Sequence, residues 1–279
     1  MSGYAVLGPP GTYSEDAARY YWQETSELIY VPDIGRVFDM VSEGRVEEGL
    51  VPFYNSLGGS IGVTMNNLLR HQLFIGGECV LPVRHCLMAK EPIELAEVEL
   101  IISQPEAFLQ CQGFLARELP NARREIVNST GQAASYIRQE QRRAAAIGSH
   151  RAAEVYGLCV IASSLEDNEE NQTTFINIKR APRSEGDKTS ILFGLQDMPG
   201  ALYRALEVFA RREVNLSCLE SRPGGLVNHD YVFYAVIEGG SQEPRITEAL
   251  HELSGRAAYY RFLGSYSQCR CPVGRLVTG

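Results

Sequence analysis

Lys179-Arg180-Ala181-Pro182-Arg183-Ser184-Glu185-Gly186-Asp187 divides the chain. The stretch is charged, holds one proline and one glycine, and separates segments of different rhythm, so it reads as a linker. Toward the amino terminus the apolar segments are short: Tyr4–Leu7, Glu48–Val51, Leu100–Ile102, Arg124–Val127, Ala144–Ile147, Val160–Ala162 and Phe175–Ile178. Helical patterns alternate with them, which predicts an α/β layer architecture. Beyond the linker the order is strand Thr189–Leu195, helix Pro199–Arg211, strand Asn215–Ser221, strand Tyr231–Ile237, helix Pro244–Leu253 and strand Tyr259–Leu263. That βαββαβ succession predicts a small ferredoxin-like unit. The expected domains are therefore 1–180, a linker at 181–188, and 189–279.

Composition narrows the function. A chain of 279 residues, 44% hydrophobic, is long enough for two cores. The net charge of -8 excludes nucleic acid and anionic membrane as expected partners. The start, Met1-Ser2-Gly3-Tyr4-Ala5-Val6-Leu7, runs into a strand with no basic-then-apolar leader, and the expected location is cytoplasmic. Seven scattered cysteines suit reduced thiols. Cys269 and Cys271 lie close together without a nearby histidine, so no metal is expected. Gly8 and Gly11 lack the third glycine of a dinucleotide loop, and no cofactor is expected.

Polar residues cluster after the strands. Thr12 with Glu15, Ser103 with Glu106, and Ser129 with Gln132 fit the capping-box spacing. In an open α/β sheet such positions lie at the carboxyl ends of strands, where ligands bind and helix amides favour anions. Asn171-Gln172-Thr173-Thr174-Phe175 sets amides and hydroxyls just before a strand. A threonine hydroxyl does not ionise near neutrality, so it assists chemistry by donating a hydrogen bond to a departing oxygen. Its other reading is a turn cap or a sheet partner. His85 sits in an apolar segment and reads as a satisfied core histidine.

These strings together resemble the prephenate dehydratase family over nearly the whole chain, from Leu7 to about Tyr266. Gly8-Pro9-Pro10-Gly11-Thr12-Tyr13-Ser14 resembles its amino-terminal loop, and Val51-Pro52-Phe53-Tyr54-Asn55-Ser56 its Asn-Ser segment, with Tyr54 in place of the family's glutamate. Ser103 to Cys111, Asn128-Ser129-Thr130 and Ala145 to Leu158 resemble further family segments. Thr173-Thr174-Phe175 resembles the family's threonine-arginine-phenylalanine signature, with Thr174 where the arginine stands. The second unit looks like an ACT domain, and Pro199-Gly200-Ala201-Leu202 and Glu220-Ser221-Arg222-Pro223 match its phenylalanine-binding motifs.

The resemblance implies a two-lobed catalytic domain like a type II periplasmic binding protein, with the active site between the lobes. Asn55, Ser103, Gln110 and Thr173 would do the chemistry, with Thr12, Ser129, Thr130, Thr174 and Phe175 lining the substrate, prephenate. Loss of carbon dioxide and hydroxide gives phenylpyruvate, and L-phenylalanine is the implied effector of a homodimer or homotetramer. Two departures leave alternatives open. A phenol of pKa about 10 at Tyr54 is a better proton donor than an alcohol. Protonating a ring carbon without losing hydroxide would make the chain a prephenate decarboxylase with a non-aromatic product. Loss of the arginine at Thr174 removes a bidentate carboxylate clamp, as a silent amino-acid sensor would allow.

Overall fold

The computed structural model describes residues 3–23, 27–140, 142–224 and 231–272. The chain forms two α/β lobes and a smaller α+β unit. In the first lobe the strands run in the order Gln268–Arg270, Phe74–Pro82, Gln172–Lys179, Glu48–Asn55, Tyr4–Leu7, Leu28–Val31, with Gly59–Ser60 beside Glu48–Asn55. Tyr4–Leu7 is parallel to both neighbours, whereas Gln172–Lys179 is antiparallel to Glu48–Asn55 and to Phe74–Pro82. In the second lobe the order is Cys159–Ser163, Cys86–Ala89, Ala144–Gly148, Leu100–Ser103, Arg123–Ile126.

The chain crosses between the lobes twice, at 83–85 and at 164–171. The crossings are stitched together: Val83 N donates to Asn171 O (2.9 Å), Leu165 N to His85 O (3.1 Å) and His85 N to the Glu166 carboxylate (2.9 Å). Backbone polar groups that leave a sheet must find partners elsewhere, and here they find one another.

The structure adds Leu28–Val31, Phe74–Pro82 and Cys86–Ala89 to the expected strands. Gly76 and Gly77 interrupt the apolar pattern of the second, which hides it from a reading by periodicity. Of the three expected capping boxes, only Ser129 caps its helix, accepting from Gln132 N at 3.1 Å. Thr12 donates to Leu7 O, and Ser103 ends a strand ahead of the helix Pro105–Gln110. The N-cap is Gln104, with Pro105 the first helical residue, so the helix starts one residue too late for Ser103 to cap it.

The third unit is an antiparallel sheet, Leu216–Pro223, Tyr231–Glu238, Lys188–Leu195, Tyr259–Tyr266, with helices Ala201–Ala210 and Pro244–Arg256 on one face. Strand alternation sorts its core. Ile191 and Phe193 pack on Val208, Phe209 and Leu253. Leu192, Val232, Tyr234 and Tyr266 on the other face pack on Phe53, Leu68, Leu73 and Ile75 of the first lobe. Buried Arg261 donates to Leu68 O and Leu73 O (2.6 and 2.5 Å), satisfying carbonyls after a helix end.

The connection expected at 181–188 is pinned rather than free. Ser265 N donates to Arg183 O, Asp187 N donates to Tyr266 O, and the strand begins at Lys188. The residues after Tyr266, expected to belong to the second domain, instead add Gln268–Arg270 to the first lobe's sheet, parallel to Phe74–Pro82.

Candidate functional site

Asn55 and Thr173 are cross-strand partners. Asn55 Nδ2 donates to Asn171 Oδ1 (2.9 Å), Gln172 O (3.1 Å) and Thr173 Oγ1 (3.1 Å), and its Oδ1 accepts from the amides of Leu57 and Gly58. Every lone pair and proton of Asn55 is engaged in fixing this corner. Thr173 Oγ1 accepts from Asn55, so its own proton remains available to a further acceptor. Asn171, whose role is invisible in the sequence, is the fully buried anchor of the arrangement and sits on the return crossing.

Tyr54 and Thr174 are not brought to this corner. They pair with each other, one residue along from Asn55 and Thr173, and Tyr54 also pairs with Ser60. Successive side chains of a strand point to opposite faces, so Tyr54, Thr174 and Ser60 share the reverse face. That face meets the third unit: Arg222 Nη2 donates to Ser60 Oγ at 2.8 Å. The pleat thus sets Tyr54, expected as a proton donor to the leaving oxygen or a ring carbon, on the face opposite Thr173. Both departures from the resembled family fall in one cross-strand pair, where a glutamate and an arginine would face each other. Phe175 is buried with Leu81, Leu50 and Val6 and supports the sheet.

In the second lobe, Ser103 is fully buried and donates to Ile147 O (2.9 Å), which leaves it only lone pairs to offer. Gln110 ends the helix Pro105–Gln110, and its Oε1 lies 2.8 Å from His85 Nε2. His85 Nδ1 lies 2.8 Å from the hydroxyl of Tyr13, itself 2.8 Å from Arg84 O. Tyr13, His85 and Gln110 thus form one chain from the first lobe through the crossing into the second. Burial lowers the proton affinity of His85, outweighing its bond to Gln110, so the ring is neutral at neutral pH. A neutral ring donating from Nε2 to the Gln110 oxygen keeps Nδ1 as an acceptor facing Tyr13, whose single hydroxyl proton is shared between Arg84 O and that nitrogen, and leaves the Gln110 NH2 for another acceptor. The expectation of a satisfied core histidine fits this geometry, yet the residue that satisfies it is a predicted site residue.

The lobes also touch where helix starts converge. Ser149 Oγ donates to Gly11 O (3.2 Å) and Tyr156 OH to Pro10 O (3.0 Å). A Cβ on Gly131 would lie 2.8 Å from Pro10 O and 3.1 Å from Thr12 Cγ2, so the start of the helix Thr130–Gln139 comes against the loop carrying Thr12. Thr12, Thr130 and Ser149 are all buried there. Asp16 faces Arg151 of the second lobe at 3.5 Å. Burial raises the Asp16 carboxyl to about 7, with Arg151 the chief opposing influence and Glu15 adding to the rise.

In the third unit, Gly200 adopts φ +77° ahead of the helix Ala201–Ala210, a conformation L side chains rarely hold. A cavity of about 600 Å³ adjoins that helix start, lined by Leu195, Met198, Ala201, Arg204, Arg256 and Ala258 among others. Leu195 and Pro223 both register with Tyr231, so the Pro199–Leu202 and Glu220–Pro223 segments lie at one end of the sheet. Along the edge strand, Glu220 and Arg222 face the first lobe, 3.7 Å apart, while Ser221 and Pro223 are exposed. Among the described residues no cluster of three or more histidine, cysteine or acidic side chains could hold a metal ion.

Comparison with known proteins agrees with this layout. A family model described as prephenate dehydratase matches residues 4–183, and one described as ACT domain matches residues 189–255. An arogenate dehydratase/prephenate dehydratase of Arabidopsis thaliana is 38% identical over 276 residues, spanning 94% of this chain and 72% of the relative. A bifunctional chorismate mutase/prephenate dehydratase of Aquifex aeolicus is 38% identical over 265 residues, with the same shares of both chains. The crystal structure of a prephenate dehydratase from Arthrobacter aurescens in complex with L-Phe superposes with a TM-score of 0.88 at 32% identity, covering 96% of this chain and 90% of that one.

Proposed function

Because the chain belongs to the prephenate dehydratase family and is a hydro-lyase acting on prephenate under allosteric control, we propose that its chemistry centres on the Asn55–Thr173 corner. The observation that carries this assignment is the direction of one hydrogen bond. Thr173 accepts from Asn55 and keeps its proton for the departing ring hydroxyl. As the ring carboxylate leaves as carbon dioxide, its electron pair enters the ring and expels the hydroxyl, which takes up one proton and departs as water. Aromatisation of the ring drives the step. Thr173 supplies a hydrogen bond that strengthens as charge grows on the leaving oxygen, which is where stabilisation accelerates rather than merely binds.

Gln110 presents its NH2 to a substrate oxygen, held by His85. Thr12, Ser129 and Thr130 receive a carboxylate at the start of the ten-residue helix Thr130–Gln139, whose free amides and dipole favour an anion. Ser103 acts by shaping the strand end. Tyr54 and Thr174 lie outside the reacting set, which removes the donor on which a ring-protonating decarboxylation would depend. L-Phenylalanine occupies the third unit against Pro199–Leu202 and Glu220–Pro223, in a cytoplasmic homo-oligomer.

Incubation of the protein with prephenate, and separately with arogenate, followed by ultraviolet absorption and product mass, tests the reading. An aromatic product is expected. A non-aromatic hydroxy acid would transfer the chain to the decarboxylases, and no turnover would leave it a sensor.

A further inference from the structure

The tail strand brings three thiols to one place. Cys269 is the register partner of Cys79 in the parallel ladder, and Cys271 N donates to Val80 O (2.9 Å). All three sulfurs join the cluster of Val6, Leu81 and Phe175 on the same face of the sheet. Cys79 is fully buried, Cys271 is nearly so, and Cys269 is half-buried at the sheet edge. Cys79 Sγ also points to Ala17 O at 4.0 Å.

Neighbouring strands lie about 4.8 Å apart. Register partners therefore fall inside the Cα separation of about 4.4–6.8 Å that a disulfide spans, with both Cβ atoms on one face. We propose that Cys79 and Cys269 are a peroxide-sensitive dithiol whose disulfide staples the tail strand to the first lobe's sheet.

The chemistry distinguishes the two sulfurs. Cys79 is fully buried while Cys269 is half-buried at the sheet edge, and their proximity together with burial pushes the Cys79 thiol up and holds Cys269 below its ordinary range, so Cys269 is the nucleophile. Cys269 thiolate attacks a peroxide oxygen, breaking the O–O bond and releasing hydroxide or alkoxide, which leaves a sulfenic acid on Cys269. The Cys79 thiol then displaces that hydroxyl as water, and the S–S bond forms. One peroxide is reduced and two thiols are oxidised. Three of the other thiols are muted: burial pushes Cys86 up to about 12 and Cys218 to about 11, and raises Cys111 as well.

The staple has a structural consequence. Gln268–Arg270 continues from Tyr259–Tyr266, a strand of the ACT unit. A disulfide at Cys269 would therefore join that unit covalently to the lobe bearing Asn55 and Thr173.

The test treats the full-length protein with one equivalent of hydrogen peroxide, alkylates the remaining thiols, and maps peptides without reduction. Of seven cysteines, two should be lost together in a linked Cys79–Cys269 peptide pair, with the mass of the protein lowered by two hydrogens and restored by dithiothreitol. Cys269→Ser, at the half-exposed position, should lose no thiol, whereas Cys271→Ser should still form the bridge. The oxidised protein should melt at a higher temperature than the reduced one. A Cys269–Cys271 bridge, or sulfinic acid on Cys269 with Cys79 still free, would overturn the proposal.

Discussion

Thr174→Arg decides between two accounts of the missing arginine. If that arginine is a substrate clamp, restoring it adds a charge-assisted pair to prephenate worth about 1.5–3 kcal/mol, or roughly a 10- to 150-fold gain in affinity. The strand register argues otherwise. Position 174 faces Tyr54 and, beyond it, Ser60 with Arg222, on the face away from Asn55 and Thr173. A lone guanidinium there meets Arg222 rather than substrate, so the single variant should lose a little stability and leave KM for prephenate within about twofold. Tyr54→Glu together with Thr174→Arg should recover that loss. The coupling should be about 0.2–1 kcal/mol, the worth of a cross-strand charge pair, and it should shrink in high salt because Tyr54 is 41% exposed. The assay is a four-protein cycle, with urea unfolding for stability and steady-state kinetics for KM. A tenfold or greater fall in KM for Thr174→Arg alone would refute the placement of this pair outside the site.

Thr173→Val should lower kcat by about 10²–10⁴ with KM little changed, while unfolding loses only about 0.5–1.5 kcal/mol because Asn55 keeps Asn171 and Gln172 as partners; unchanged turnover in stopped assays would remove the donor role. His85→Phe keeps a ring in the cavity but cuts the link from Tyr13 to Gln110, and kcat should fall about tenfold or more with a stability loss of about 1–3 kcal/mol. Ser60→Ala deletes the contact to Arg222 without substituting a residue of either effector segment; calorimetry should show phenylalanine still bound, with its effect on prephenate affinity reduced by up to about tenfold. Asp16 has its carboxyl raised to about 7 in the fold, above an unfolded value of about 3.9, so its contribution is complete below pH about 4 and is lost as pH rises through 7. Asp16→Asn should therefore be stabilising at pH 8, on the order of a few kcal/mol by unfolding titration, and should give no such gain at pH 4.

The sequence was legible where one residue's chemistry or one segment's rhythm sufficed. Alternation of short apolar strands with helices marked the α/β layers, and the βαββαβ order marked the third unit, because a period of 2 or 3.6 is written in neighbouring residues, whereas the division into two lobes came only from the family resemblance. The Phe74–Pro82 strand escaped because Gly76 and Gly77 carry no side chain to show a period. The tail strand escaped because three residues are too few to show one.

What the sequence could not express was which side of a strand a residue faces relative to a residue 120 positions away. Asn55 and Tyr54 are adjacent in sequence, as are Thr173 and Thr174, so all four appear as one polar group. Register separates them into two pairs with different tasks, one at the candidate reaction centre and one toward the ACT unit. A slip of one residue would exchange the pairs, since side-chain direction has a period of two. The register here is fixed by long-range contacts: Asn171 grips Asn55, Ile176 and Val51 share the core beneath the ACT sheet, and Phe175 fills the opposite face. The same reasoning explains His85. As a single residue in an apolar run it reads as core, and only the two crossings, stitched by Glu166 and Asn171, place its ring between a helix of one lobe and Gln110 of the other.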